Sequence, residues 1–290
     1  MNKELREQTI HPFKPAYRSS RRICRNLGLS LAVSGMISCG AEPQESLSAV
    51  QSAATSAGSW TMVIYADKDT RLTRAHKNRN DGRHTRLSTQ KWNNGHGKVK
   101  VLVNFPLGQL YNQQVSSARL EFRNVVKPAY GKNAEHGVRR MIDTSWEEGN
   151  RKSDNLDCID KTPGSGAGVT WGCFRDEIID ASNTKSDCAE EIAWTGAPKD
   201  SHLSSGLVEN DYTDTLVLEK TKEWREQIVA FDVTQDIQEA VHQQGSSEIS
   251  WLLERSNRGK GRVKLGSREW AQECMGGDLN YGPRLVLEIQ

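Results

Sequence analysis

Hydrophobic and polar residues alternate in a series of short segments. The first clear example is "KVKVLVNF", where hydrophobic side chains occupy Val99, Val101, Val103 and Phe105. Alternation at every second position is typical of a β-strand with one face buried and the other in water. The same pattern recurs in "SARLEFR", "DTLVLEK", "IVAFDV", "SEISWLLE", "RVKLGS" and "RLVLEI". Many short strands separated by polar loops predict an all-β fold, and specifically a jelly-roll β-sandwich.

One segment has helical spacing instead. Ile237, Ala240 and Val241 would lie on one face of a helix that begins at Thr234 as its N-cap and ends at Gly245. We expect this short helix to cap one end of the sandwich. The sequence contains no internal repeat and no second linker, so residues 60–290 are predicted to form one domain.

An apolar run precedes the strands, from Leu27 to Ile37, and three basic residues stand just before it, Arg21, Arg22 and Arg25. The run is too short to cross the roughly 30 Å of hydrocarbon in a bilayer. A basic segment followed by a short apolar one is typical of a signal peptide. The sequence therefore predicts an exported protein.

The segment "MISC", which ends at Cys39, resembles a bacterial lipobox, in which the cysteine becomes lipidated after cleavage. We predict that residues 1–38 are a lipoprotein signal peptide and that Cys39 is the membrane anchor. Residues 39–59 are rich in Ser, Ala and Gln and are predicted to be a flexible tether. The alternative is cleavage nearby, for instance after Ala41, which would release the protein.

Charge is unevenly distributed along the chain. The formal net charge is +2, but the leader holds seven basic and two acidic residues, which leaves −3 from Cys39 onward. Residues 67–140 contain 16 basic and 5 acidic side chains, whereas residues 141–254 contain 9 and 24. The basic part indicates an anionic ligand, or else attraction between two halves of one sandwich. The negative total and the lack of a recognition motif argue against a nucleic-acid partner.

Four cysteines remain beyond the anchor: Cys158, Cys173, Cys188 and Cys274. An even number in an exported chain favours disulfides, and there is neither a C-x-x-C pair nor a histidine at zinc-ligand spacing. Cys173 and Cys188 bracket a polar loop and are the predicted pair. Cys158 and Cys274 would form a second bridge, although the sequence leaves the connectivity open.

A set of motifs in order along the chain carries a family resemblance: "YADKDTRLTR", "VLVNFPLGQL", "SSARLEFRNV", "SWEEGN", "GVTWGC", "FDVTQDIQEAV", "LGSREW" and "GPRLVLEI". Together they resemble the DNRLRE-type domains of bacterial and archaeal surface proteins, over nearly all of residues 60–290. That family is similar to carbohydrate-binding module family 96, whose described ligand is the acidic polysaccharide alginate. The resemblance implies a jelly-roll sandwich that binds carbohydrate or matrix and does not catalyse a reaction.

Individual residues match elements of the family, and most of them look like framework. The W-x-E-G element is matched by Trp146, Glu147 and Gly149, the V-T-W element by Val169, Thr170 and Trp171, the D-V-T element by Asp232 and Val233, and the S-R-E element by Ser267, Arg268 and Glu269. The four cysteines and the loop 151–166 depart from the pattern.

The richest cationic stretch lies in residues 71–86. Guanidinium groups suit sugar carboxylates and sulfates because two parallel hydrogen bonds match the planar anion. The alternative is a solvated loop that balances the acidic half. An exposed tryptophan could also serve as a stacking platform for a sugar ring. The candidate ligand-binding residues are Arg71, Arg74, Lys77, Arg79, Arg83, Arg86, Arg268 and Trp92.

The sequence also contains candidates for a metal site and for catalysis. Asp67, Asp69 and Asp81 are candidate ligands for a structural calcium ion, although no EF-hand spacing exists. No other cofactor is expected. Catalysis would draw on carboxylates such as those of Glu147, Asp176 and Glu177, or on His76 and His84. No hydrolase motif is present, so the protein is not predicted to be an enzyme.

The sequence thus predicts a lipoprotein on the cell surface or the periplasmic face of a membrane, with a module that binds an acidic polysaccharide. A structural or adhesive protein with a protein partner is the main alternative, and an enzyme that degrades polysaccharide is the minor one.

Overall fold

The computed structural model of the protein describes residues 51–54, 58–76, 80–91, 98–126, 129–130, 134–149, 168–174, 206–218, 227–256 and 261–290. All of them belong to one compact unit, Glu45–Gln290. Among these residues, no helix combines the length and the apolar character needed to span a bilayer. Cys39 and the predicted signal peptide lie outside the described residues.

The described strands form two antiparallel sheets, numbered here in chain order. The first sheet has the order β1 (Gln51–Ala54), β2 (Trp60–Tyr65), β13 (Arg284–Ile289), β6 (Val115–Arg123) and β10 (Ile228–Asp232). The second has the order β7 (Ala129–Tyr130), β12 (Gly261–Gly266), β4 (Arg86–Gln90), β5 (Val99–Pro106), β11 (Glu248–Arg255), β8 (Ala134–Arg140) and β9 (Asp214–Leu218). β3 (Lys68–Thr73) also pairs with β5.

Eight of these strands have jelly-roll connectivity. In chain order they are β2, β5, β6, β8, β9, β10, β11 and β13. The first sheet places the first, eighth, third and sixth of them side by side, and the second sheet places the second, seventh, fourth and fifth. This is the interleaved arrangement of two Greek keys. The predicted all-β jelly-roll sandwich is confirmed.

The main core lies between the two sheets. Val101, Val103 and Phe105 point into it from β5, as the alternation predicted. The Phe105 ring meets the Trp251 ring edge to face, with centroids 5.9 Å apart. In the first sheet, the rings of Phe122 and Phe231 also meet edge to face. Such edge contacts stabilise the core beyond the burial of their area.

A second hydrophobic cluster covers the opposite face of β5 and β11. Leu102 and Leu252 point away from the main core and are fully buried. The segments 141–149 and 168–174 lie over them and contribute Trp146 and Phe174. The Trp146 indole Nε1 donates a hydrogen bond of 3.1 Å to Ser250 Oγ. The prediction that one face of each strand is exposed to water is therefore wrong for β5 and β11. The segments that bury this face have no periodic hydrophobic pattern.

The predicted helix is present but shorter. α1 spans Thr234–Gln238 and continues as a single π-helical turn, Glu239–Gln243. Its N-cap is Val233 and not Thr234, because the Thr234 hydroxyl accepts a hydrogen bond from the backbone of Ala118 at 2.9 Å instead. Gly245 has a φ of 58°, which suits the predicted helix end.

The predicted tether is wrong at one place. Residues 51–54 form β1 and pair with β2, with Gln51 opposite Val63 and Ala54 opposite Trp60. The outer edge of β2 would otherwise leave backbone donors and acceptors unpaired, and β1 pairs with them. The rest of the predicted tether, up to residue 57, lies outside the described residues.

Candidate functional site

Three of the predicted ligand-binding cations are engaged within the fold. Arg71 Nη2 lies 2.7 Å from Asp81 Oδ2, and Arg83 Nη2 lies 3.0 Å from Glu273 Oε1. Arg268 binds two glutamates in a mostly buried cluster. Arg74 begins a 3-10 turn, Arg74–His76, and its side chain is half-buried. Lys77, Arg79 and Trp92 lie outside the described residues.

Arg86 remains available, and the fold places two further cations beside it. Leu87, Val263 and Leu265 point into the main core, so the intervening residues of β4 and β12 point outward. These outward residues include Arg86 on β4 and both Arg262 and Lys264 on β12. Within the described part of the chain, none of the three side chains forms an ion pair.

The three cations repel one another. The pKa of Lys264 is lowered by burial and then by the charges of Arg262, Arg86 and Arg71. The pKa of Arg262 is lowered by burial and by Arg71 and Arg86. This outer face of β4 and β12 therefore has a positive potential that a nearby anion would relieve.

A cleft of about 300 Å³ adjoins this face. Gln90 at the end of β4 lines the cleft and stands opposite Arg262 in the strand register. The lining holds five cations and one carboxylate, a formal charge of +4. The charged lining residues are Lys91, Lys98, Lys100, Arg139, Arg255 and Glu254.

Glu254 organises the floor of the cleft. Its carboxylate lies 2.8 Å from Lys100 Nζ and 3.1 Å from Arg139 Nε, and it accepts a hydrogen bond of 3.0 Å from the Tyr212 hydroxyl. Burial alone would raise the pKa of Glu254, but the Lys100 charge and these hydrogen bonds lower it to about 2. The Arg139 guanidinium also stacks on the Tyr212 ring, 3.5 Å from its centroid. Both cations are thus fixed in position in a lining whose formal charge is +4.

We call the outward residues of β4 and β12 together with the cleft the cationic surface. Five of its cations come from the basic part of the sequence, residues 67–140, and three come from residues 255–264. Only Arg86 among its members was a predicted site residue. Arg262 and Lys264 occupy polar positions of the predicted strand "RVKLGS", so their outward direction could have been read from the sequence. The approach of Lys100 and Arg139 to Glu254 could not, because it depends on the pairing of β5, β11 and β8.

The acidic half of the sequence lines a different groove, of about 860 Å³, beside the start of α1. It holds six carboxylates and Arg140. Its members are hydrogen-bonded within the fold; for example, Asp236 Oδ2 accepts from Trp251 Nε1 and from Thr213 Oγ1, both at 2.7 Å. The sign of this groove makes it unsuitable for an anionic ligand.

A buried carboxylate cluster lies at β3. It joins Asp69 of β3, Glu148 of the covering segment, and Arg268 and Glu269, which follow β12. One oxygen from each carboxylate lies within 4.8 Å of the others. Burial raises the pKa of all three carboxyl groups, and the Glu269 charge adds to the increase for Asp69 and Glu148.

The remaining candidates are scattered. Asp67 accepts a hydrogen bond of 2.9 Å from Asn104 Nδ2, and Asp81 pairs with Arg71, so only Asp69 of the three predicted calcium ligands is in the cluster. The family resemblance assigned the W-x-E-G carboxylate to Glu147, but counting from Trp146 places that glutamate at position 148. Glu147 is exposed, and Glu148 reaches the cluster.

Of the residues on which catalysis would draw, only Glu147 and His84 have side chains among the described residues. His84 is buried, and its pKa is lowered by burial and then by Arg71 and Arg86. The side chains of His76, Asp176 and Glu177 lie outside the described residues.

The two described cysteines lie at separate elements. Cys173 is buried beside the second hydrophobic cluster, and Cys274 ends the π-helical turn Trp270–Cys274. Their predicted partners, Cys188 and Cys158, lie outside the described residues, so the pairing stays a prediction.

Neither a family model nor a curated protein sequence matches the chain. The resemblance to DNRLRE-type domains and to carbohydrate-binding module family 96 therefore stays a prediction.

Proposed function

We propose that the protein is a non-catalytic module that binds an acidic polysaccharide through the cationic surface. The observation that carries this proposal is the +4 cleft, which adjoins three cations that form no ion pair within the described part of the chain. A surface of this kind lowers the free energy of a bound polyanion, and its affinity depends on salt.

The shape of the surface favours a polymer over a single small anion. Cations stand both in the cleft and along two adjacent strands, so several carboxylates or sulfates of one chain could be contacted at once. Each further contact in the same polymer is intramolecular and adds to the overall affinity. The planar guanidinium groups of Arg86 and Arg262 suit paired hydrogen bonds to carboxylates or sulfates.

The location of the protein belongs to the same proposal. Export by the residue 1–38 signal peptide and lipidation at Cys39 would hold the module at a membrane surface, where extracellular polysaccharides are found. The predicted export and the lack of a recognition motif argue against nucleic acid as the polyanion.

Affinity electrophoresis of the full chain tests the proposal. Gels would contain alginate, pectate or a neutral glucan. We expect retardation by the acidic polymers only, weakened by added salt, and a smaller retardation for Arg262→Ala.

Arg119→Ala is the matched control. Arg119 is an exposed arginine on β6 of the other sheet, with its Nε 3.5 Å from Glu121, and its removal changes the net charge equally. Equal losses for the two variants would mean that net charge acts without a defined surface. No retardation of the wild-type protein by either acidic polymer would refute the proposal.

A further inference from the structure

The carboxylate cluster at β3 is held in place through a fixed set of hydrogen bonds. The Arg268 backbone N–H donates to Asp69 Oδ2 at 2.7 Å, and the Asp69 backbone N–H donates to Glu148 Oε1 at 2.8 Å. Arg268 Nη2 donates to Glu148 Oε2 and, at 3.4 Å, to Glu269 Oε1. These contacts fix the orientation of each carboxylate.

Two oxygens of the cluster have no such contact. Asp69 Oδ1 and Glu269 Oε2 are buried and have no hydrogen-bond partner among the described residues. Asp69 is fully buried and Glu269 is 4% exposed. A buried carboxylate oxygen without a donor or a cation is costly, and such groups are normally paired or bound to a metal.

The charges point to a divalent cation. Three carboxylates and one guanidinium leave a formal charge of −2 in the cluster. Carboxylates without nitrogen or sulfur ligands favour a hard cation such as Ca²⁺ or Mg²⁺.

We propose that Asp69, Glu148 and Glu269 bind one Ca²⁺ ion. One oxygen from each residue lies within 4.8 Å of the others. That spacing brings the three oxygens close enough to contact a common cation. Calcium accepts flexible, irregular oxygen coordination, whereas Mg²⁺ demands near-ideal octahedral geometry and usually keeps several waters, so a site built from three protein carboxylates favours calcium. Water would complete the coordination, since calcium takes about six to eight oxygens.

Such an ion would connect three separate parts of the chain. Asp69 is on β3, Glu148 ends the segment that covers the second hydrophobic cluster, and Glu269 follows β12. Calcium would hold the covering segment against the sheet and stabilise the fold. This role is independent of the proposed polysaccharide binding.

Isothermal titration of the full chain, first stripped with chelator, is the direct test, with CaCl2 and MgCl2 as separate titrants. We expect one Ca²⁺ per chain and weaker Mg²⁺ binding. At a Ca²⁺ concentration a hundredfold above its Kd, the Tm should rise by about 5 to 10 °C.

Glu148→Gln is the diagnostic variant because its side chain is partly accessible, which limits damage to the core. We expect it to weaken Ca²⁺ binding by about 100-fold. Glu147→Gln, one position away and exposed, is the matched control and should bind as the wild type does.

Hydrogen exchange of the wild-type chain locates the ion even if a variant does not fold. Calcium should slow exchange in peptides that contain Asp69 and in peptides that contain Arg268. No Ca²⁺ uptake by the wild type, unchanged uptake by Glu148→Gln, or protection confined to other regions would each overturn the proposal.

Discussion

Replacing Glu254 with glutamine removes the only carboxylate that lines the cationic cleft. We expect the Glu254→Gln variant to lose about 3 to 5 kcal/mol of unfolding free energy at neutral pH. Lys100 and Arg139 are each only 6% exposed, so the change leaves two buried cations without the carboxylate that binds both of them. The Tyr212 hydroxyl also loses its charged acceptor.

The pKa of Glu254 gives an independent estimate of this magnitude. Its value of about 2, against an ordinary value of 4.5, corresponds to about 3 kcal/mol of stabilisation. Because the folded-state pKa is the lower one, this stabilisation is present above about pH 4.5 and is lost as the pH falls toward 2.

Urea denaturation at several pH values between 7 and 2 is the assay. The wild type should lose stability through this window, and Glu254→Gln should be less stable at pH 7 and lack this part of the loss. Glu209→Gln is the control, since Glu209 is exposed in the acidic groove. Equal stability of the two variants at pH 7, or an acid profile of Glu254→Gln identical to that of the wild type, would refute the reasoning.

Three further predictions concern the fold. Trp146→Ala should lower the free energy of unfolding, measured by chemical denaturation, by about 3 to 5 kcal/mol. The change removes a fully buried side chain of the second hydrophobic cluster and leaves Ser250 without its indole donor. A loss below about 1 kcal/mol would mean that the covering segment adds little stability. Burial and the Arg255 charge lower the pKa of His136 to about 3. The free energy of unfolding of the wild type should therefore fall as the pH falls from 6.5 toward 3, and that of His136→Gln should depend less on pH. Identical slopes of unfolding free energy against pH for the two proteins would contradict this. Non-reducing peptide mapping should recover Cys173 linked to Cys188, and a different linkage would show that the predicted pair is wrong.

Most of the main sheet framework could be predicted from the sequence. Val101, Val103 and Phe105 marked the buried face of β5 because that face is continuous and the alternation follows it. The second hydrophobic cluster was missed although Leu102 and Leu252 also carry a signal, as hydrophobic residues at positions expected to face water. What covers them is a segment without periodicity, and only tertiary packing places it there.

The candidate site was harder to predict because a charged side chain does not reveal its partner. Arg71 and Arg268 belong to conspicuous basic motifs, yet each binds a carboxylate that lies at least ten residues away in sequence. Arg262 and Lys264 are less conspicuous, but the strand register leaves them outward and without an ion pair in the described part of the chain. Sequence reasoning predicted an anionic ligand and included Arg86 of the cationic surface, but it did not single out Arg262 or Lys264.

The measurement that tests the central claim most directly is the equilibrium affinity of the full chain for alginate at low and at physiological salt. We predict that wild-type affinity falls steeply with salt, that Arg262→Glu binds much more weakly at both salt concentrations, and that Arg119→Glu stays close to the wild type. Affinity that does not change with salt, or an Arg262→Glu variant that binds as tightly as Arg119→Glu, would contradict the assignment of the cationic surface as the binding site.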